Sequence, residues 1–360
     1  MERVLLSLLL LLAVAGCVAA PARIDLPPGF RIDLFAGDLP DARSMALGAE
    51  GTLFVGSRRE GRLYALRDLD GDGRADRRWT LATGLNMPNG IAFADGALFV
   101  AENHRVVRYD DIERRLDSPP QPRLLASLPA RKWHGWRYLA VGPDGWLYLS
   151  IGAPCNVCDE PGFGIIARLP REGGRLQTVA RGVRNSVGFD WDPAGGELWF
   201  SDNGRDWLGD DAPPDEINRL QRPGQHFGFP FCHGGDIPDP EFGALRSCTE
   251  FTPPAWRLQA HVAPLGIRFY RGDRFPPPWR GRLFVAEHGS WNRSVPVGYR
   301  VVALRIEDGR VTDEKVFARG WLDAGGRVSG RPVDLLELPD GSLLVSDDKT
   351  GAIYRIHYQP

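Results

Sequence analysis

The sequence predicts an all-β fold, a single six-bladed β-propeller, on three observations: one apolar strand recurs six times, turn-forming residues are abundant, and no segment requires a helix longer than a turn or two. The strand reads Leu53-Phe54-Val55-Gly56, Leu98-Phe99-Val100-Ala101, Leu147-Tyr148-Leu149-Ser150, Leu198-Trp199-Phe200-Ser201, Leu283-Phe284-Val285-Ala286 and Leu343-Leu344-Val345-Ser346. The 43 Gly and 30 Pro in 360 residues supply the tight loops that many short strands need.

Before most copies runs a second apolar strand ending in a turn. Ile91-Ala92-Phe93 leads to Asp95-Gly96, Leu139-Ala140-Val141 to Asp144-Gly145, Val187-Gly188-Phe189 to Gly195-Gly196, and Val333 to Leu336 leads to Asp340-Gly341. Asp-Gly between two apolar strands is a strong hairpin signal. A third strand follows several copies, as in Arg62 to Leu66, Val106 to Tyr109 and Ala352 to Ile356. Such a meander cannot bury both its faces alone, whereas radial stacking covers both, which is the physics of a propeller. Phe30 to Phe35 precedes the first copy and supplies the outer strand of the last blade, closing the ring. From Cys17 onward roughly 344 residues give about 57 per unit, above the ~40–50 of common propeller repeats. The excess falls in a long insertion at about residues 205–262, so the domain plan is a leader at 1–16, a linker at 17–27 and one propeller at 28–360.

With 44 Lys+Arg against 46 Asp+Glu, a net charge of −2 gives no electrostatic case for nucleic acid or for an anionic membrane surface. The leader has Arg3, an apolar run from Val4 to Ala15 too short to span a bilayer, and Val14-Ala15-Gly16-Cys17, which resembles a bacterial lipoprotein box. The reading is an exported, periplasmic or cell-envelope protein anchored by lipid at Cys17; the alternative is an ordinary signal cut near Ala19 or Ala20. In an oxidising compartment Cys155, Cys158, Cys232 and Cys248 read as disulfides. Pairing 155 with 158 and 232 with 248 is simplest, but four cysteines allow three connectivities, and a zinc site using His233 is a competing idea.

Propellers bind ligands where loops converge at one mouth of the channel, so residues just before or after the repeated strands are the candidates. These are His134-Gly135-Trp136-Arg137, Arg184-Asn185, Asp202-Asn203-Gly204-Arg205, Glu287 to Arg293, and Gly330-Arg331-Pro332. Guanidinium, imidazole and amide groups around one cavity suit a planar polyanion, because arginine offers a bidentate fork to carboxylates. A separate pattern, Asp68-x-Asp70-x-Asp72-Gly73-x-x-Asp76, places carboxylates at alternate positions as in a calcium loop, with Trp79 where a bidentate Glu would stand. It reads as a structural calcium loop or as an acidic, solvated hairpin turn.

The run from His134 to Gly152, with Gly182-Val183-Arg184-Asn185, Asp215-Glu216-Ile217-Asn218 and Phe227-Gly228-Phe229-Pro230, resembles the soluble pyrroloquinoline-quinone-dependent sugar dehydrogenases. Ala153 to Cys158 and Glu287 to Arg293 are similar to their sorbosone and aldose sugar dehydrogenase-like branches. The resemblance implies a pyrroloquinoline quinone (PQQ) and calcium (Ca2+) enzyme that oxidises an aldose or sugar aldehyde and passes electrons to a quinone or cytochrome. It implies that His134 is the general base for hydride transfer to the quinone and that Arg184 stabilises charge developing there. It further implies that Asn185, Arg331 and His288 contact the cofactor, and that the carbonyls of Gly204 and Arg205 ligate calcium. Three positions depart from the family pattern: Ala153 replaces an aspartate that orients the histidine, Gly289 a cofactor-binding lysine, and Val333 an arginine. Arg293 is the candidate to stand in for the lysine. Two other functions fit the same fold: a calcium-dependent lactonase using Glu287, Asp202, Asn203 and Asn185, or a non-catalytic binding scaffold.

Overall fold

Each of the six recurring strands is buried along its whole length, and each is the second strand of an antiparallel sheet. The computed structural model describes residues 24–360; the expected leader and the expected lipid site at Cys17 lie outside them. The first blade shows the plan, with strands Ala42–Leu47, Leu53–Ser57, Leu63–Arg67 and Arg77–Ala82 in that spatial order. Six such sheets form the six-bladed propeller. The ring closes as the sequence implies: Phe30–Ala36 pairs antiparallel with the last strand, Ala352–Tyr358, so both chain ends share one blade.

Strand alternation explains why these units need one another. In the first blade Phe54 faces the second blade, beside Ile91 and Val100. Leu53 and Val55 face the sixth, beside Leu336 and Leu344. The same division recurs around the ring, so the core is six apolar layers between adjacent blades. Each large side chain fully buried there contributes about 1.5–3 kcal/mol.

The insertion is shorter than the sequence suggests. Asp215–Leu220 and Trp256–Leu258, inside the expected 205–262 stretch, are the third and fourth strands of the fourth blade. Only the segment between them is extra. It carries a small hairpin, Cys232–His233 with Ile237–Pro238, closed by the Cys232–Cys248 disulfide, and Gln225–His226 extends the third blade's edge. A polar strand such as Asp215-Glu216-Ile217-Asn218 lacks the apolar signature of the repeat, which hid it.

An antiparallel hairpin puts the start of each innermost strand and the end of each second strand at one rim of the ring. A buried acid at the end of the second strand fixes the facing loop in several blades. Glu102 accepts from the Asn86 amide at 2.7 Å, Asp202 from the Arg184 and Asn185 amides at 2.8 and 2.6 Å, and Asp347 from the Arg331 amide at 3.0 Å. The candidate loops are therefore held at one end of the wheel.

Candidate functional site

At that end the loops enclose a cavity of about 430 Å³, within the range of about 300–1,000 Å³ usual for small-molecule sites. Its floor is apolar: Leu265 and Trp136 line it and pack with Val187 and Val333, plugging the channel. Val333 thus lies in the apolar layer behind that lining.

His134 lines the cavity and is buried, at φ 47°, a backbone region non-glycine residues seldom adopt. Arg137 holds that conformation. Fully buried, its guanidinium donates to the carbonyls of His134 (3.2 Å), Asn103 (3.2 Å) and Pro129 (2.7 Å), and burial lowers its pKa to about 10, leaving it charged at neutral pH. His134 Nδ1 lies 2.8 Å from the Ala153 carbonyl. A carbonyl only accepts, so Nδ1 carries the proton and Nε2 presents a lone pair. The backbone of Ala153 thereby supplies the orienting acceptor that its side chain lacks. Burial first, then the nearby Arg184 and Arg137 charges, hold the imidazole pKa well below its usual value, against the Ala153 bond. His134 is a neutral imidazole at pH 7.

Gly152 makes room for it. A Cβ there would stand 2.7 Å from the His134 Cβ and 3.2 Å from Asn185 Oδ1. Gly152→Ala is expected to push on the His134 Cβ, costing about 1–3 kcal/mol of stability, and to shift the imidazole so that any His134-dependent rate falls ~10- to 100-fold; an unchanged rate would show that this packing does not position the imidazole.

Arg184 is buried and spends its donors on protein. Nε donates to Asn156 O (2.9 Å), Nη1 to Gly204 O (2.7 Å) and Asn203 O (3.1 Å), and Nη2 to Asn156 Oδ1 (2.9 Å) and Asp206 Oδ2 (3.2 Å). The Gly204 carbonyl, expected to ligate calcium, accepts from the Arg184 guanidinium, where a divalent cation would meet a like charge; as folded, Gly204 does not suit that ion. The Arg205 side chain pairs with Asp239 and Glu241. In the first-blade loop Asp68, Asp70 and Asp76 converge, while Asp72 caps the Arg74 amide. Nothing joins that loop to the cavity lining.

The other expected contacts divide. Asn185 lines the cavity with Oδ1 buried and unpartnered. Arg331 also lines it; its Nε and Nη2 donate to the carbonyls of His288 and Gly289. His288 reaches the wall but is tied through Nε2 to Asp348 at 2.9 Å, and burial lowers its pKa to about 4. Arg293 is misassigned as a cavity cation: it binds the Asp210 carbonyl and Asp211, stapling two rim loops. Gly289 cannot stand in for a lysine either, since it sits at φ 99° against the Tyr299 ring.

Sequence reasoning missed Arg43, Arg58, Arg59 and Lys132, all on the cavity wall. Arg58 and Arg59 follow the first repeated strand, so the rule applied to later repeats would have found them. Arg58 Nε and Trp136 Nε1 are buried donors without protein partners, with the Arg58 guanidinium 5.7 Å from the Trp136 ring. Unpaired donors and a cationic wall fit a flat tricarboxylate such as pyrroloquinoline quinone.

The lactonase constellation does not assemble. Both Asp202 oxygens accept backbone amides, Glu287 pairs with Arg300, and among the described residues only the Asp68 cluster gathers carboxylates closely enough for a metal. The cysteines form Cys155–Cys158 and Cys232–Cys248, which removes the zinc alternative.

The family model described as glucose/sorbosone dehydrogenase matches residues 168–355. An uncharacterized protein of Borreliella burgdorferi is 35% identical over 352 residues, covering 93% of this chain and 91% of that protein. A pyrroloquinoline quinone-dependent pyranose dehydrogenase of Coprinopsis cinerea is 32% identical over 122 residues, 29% of this chain and 16% of that one. The holo form of the pyranose dehydrogenase PQQ domain from Coprinopsis cinerea superposes with TM-score 0.81 at 21% identity, over 95% of this chain and 99% of that one; at this identity the likeness is one of fold.

Proposed function

Because the chain belongs to the glucose/sorbosone dehydrogenase family, we propose that it is a PQQ-dependent dehydrogenase acting on an aldose or sugar aldehyde, with His134 as general base. The observation that carries this reading is a neutral imidazole with a free Nε2 on the wall of a cation-rimmed cavity. When bound, the quinone would supply the two-electron acceptor for the hydrogen leaving the sugar carbon. Arg58, Arg331 and Lys132 would pair with its carboxylates, and the Asn185 amide and Trp136 Nε1 would hydrogen-bond its ring system. His134 Nε2 would take the hydroxyl proton from the same carbon, with Ala153 O steadying the imidazolium through Nδ1–H. The Arg184 charge disfavours that imidazolium, so the proton passes on readily to solvent and the base is restored. No step is assigned to calcium, because the Gly204 carbonyl is engaged by Arg184.

The half-exposed Trp133 and more exposed Trp291 flank the mouth, with Trp207 edge-on to Trp291 at 5.3 Å. Sugar rings present C–H faces that pack on indole. Trp291→Ala is expected to raise KM about tenfold with kcat little changed, the pattern of lost ground-state binding; a fall in kcat alone would remove Trp291 from substrate binding.

The reading is tested by titrating the protein with pyrroloquinoline quinone and following dye reduction with a panel of aldoses. Saturable binding with sugar-dependent reduction supports it, and absence of both sinks it. We place the reaction outside the cytoplasm, with electrons passing to a quinone or cytochrome; the leader and the two disulfides support that placement.

A further inference from the structure

Six residues, Ala153 to Cys158, join the two functional positions without lining the cavity. The Ala153 amide donates to the Arg184 carbonyl at 2.8 Å, and the Ala153 carbonyl accepts from His134 Nδ1 at 2.8 Å. Three residues on, Asn156 accepts from Arg184 Nε through its carbonyl and from Arg184 Nη2 through Oδ1, each at 2.9 Å. The same Oδ1 accepts the Asp206 amide at 2.9 Å, and Asn156 Nδ2 donates to the Asp206 carbonyl at 3.2 Å. Asn156 therefore meets two of the three edges of the Arg184 fork and also fixes the loop that carries Asp206.

What fixes Asn156 is the Cys155–Cys158 disulfide. From Pro154 to Phe163 no residue is buried, and among them Phe163 alone, at the far end, packs against an apolar cluster, so the stretch around Asn156 has no apolar anchor of its own. A free loop of this kind would spread over many conformers. The cross-link between the cysteines flanking Asn156-Val157 removes most of them at the point where the Arg184 fork is gripped.

We propose that the disulfide-closed segment 153–158 is the positioning element of the site, with Asn156 as the positioning residue for Arg184 and the Ala153 carbonyl as that for His134. The proposal rests on the dehydrogenase reading for its kinetic consequence, but its structural content is independent of it. It explains how the chain manages with Ala153 where an orienting carboxylate is expected: backbone and amide groups of one cross-linked loop align both residues together.

The test uses two disrupting variants, a conservative rescue and two readouts. Asn156→Ala and the double variant Cys155→Ser/Cys158→Ser are each expected to lower the unfolding midpoint, since they strand buried donors or remove a cross-link, and, under conditions where both remain folded, to lower kcat ~10- to 100-fold with KM within about twofold. Asn156→Asp keeps an acceptor at Oδ1 and is expected to recover most of the rate. The second readout is the Arg184 Nε–Hε resonance of the cofactor-free protein, assigned by its loss in Arg184→Lys. It is expected to be protected from exchange in wild type and to lose protection in Asn156→Ala and in the Cys155/Cys158 variant. Wild-type kcat in Asn156→Ala, equal damage in Asn156→Ala and Asn156→Asp, or a resonance that stays protected in both variants would each overturn the proposal. If the resonance responds as expected but no sugar is oxidised by the wild-type protein with the quinone, the positioning role stands and the dehydrogenase reading falls.

Discussion

His134→Ala is expected to lower turnover by about 10²- to 10⁴-fold, the range for loss of a positioned acid–base group, while quinone affinity changes only a few-fold. The separation follows from where the imidazole stands. Its Nδ1 is consumed by the Ala153 carbonyl, so only Nε2 faces the cavity, whereas the groups suited to the cofactor's carboxylates are the cations on the wall. Its companion is the pH profile of the wild-type protein. Burial and the Arg184 and Arg137 charges hold the His134 pKa well below 6.5, so the neutral base persists as pH falls through that value. The rate, kcat/KM, is expected to be flat from about pH 8 to 6.5 and to decline only at lower pH as Nε2 is protonated. An acid limb centred at or above 6.5, or a variant that keeps wild-type turnover, would remove His134 from the chemistry.

The legible and illegible parts of this molecule divide along a physical line. The blades were legible because a recurring apolar strand and the Gly-containing turn before it are local signals, and each repeat states both. The position of the site was legible for the same reason: an antiparallel hairpin sends the ends of all second strands to one rim. Roles resting on backbone groups were not, because a carbonyl has no letter in the sequence. Ala153 looked like the loss of an orienting group, yet its peptide oxygen holds the imidazole. Gly204 looked like a metal ligand, yet its oxygen accepts from Arg184. Arginines were the hardest to sort, since the same letter lines the cavity at Arg58, staples loops at Arg293 and braces a strained backbone at Arg137.

Arg184→Ala is expected to damage stability and function together, unlike His134→Ala. The side chain is buried, and its removal strands the carbonyls of Asn156, Asn203 and Gly204 and one oxygen of Asp206, and leaves the Asn156 amide oxygen only the Asp206 amide. Leaving a buried carboxylate without its partner typically costs about 3–5 kcal/mol, so a clear drop in the urea midpoint is expected, together with weaker quinone binding and slower turnover. Whatever activity survives carries a second mark. Without the Arg184 charge the His134 pKa rises, so the acid limb moves to higher pH than in wild type. Arg184→Lys separates charge from shape: an ammonium restores the charge and so the position of the limb, but cannot span Asn156, Gly204 and Asp206 at once, so stability recovers only in part. Wild-type stability and cofactor binding in Arg184→Ala would mean that this network is decoration, and the alignment of both functional residues would need another source.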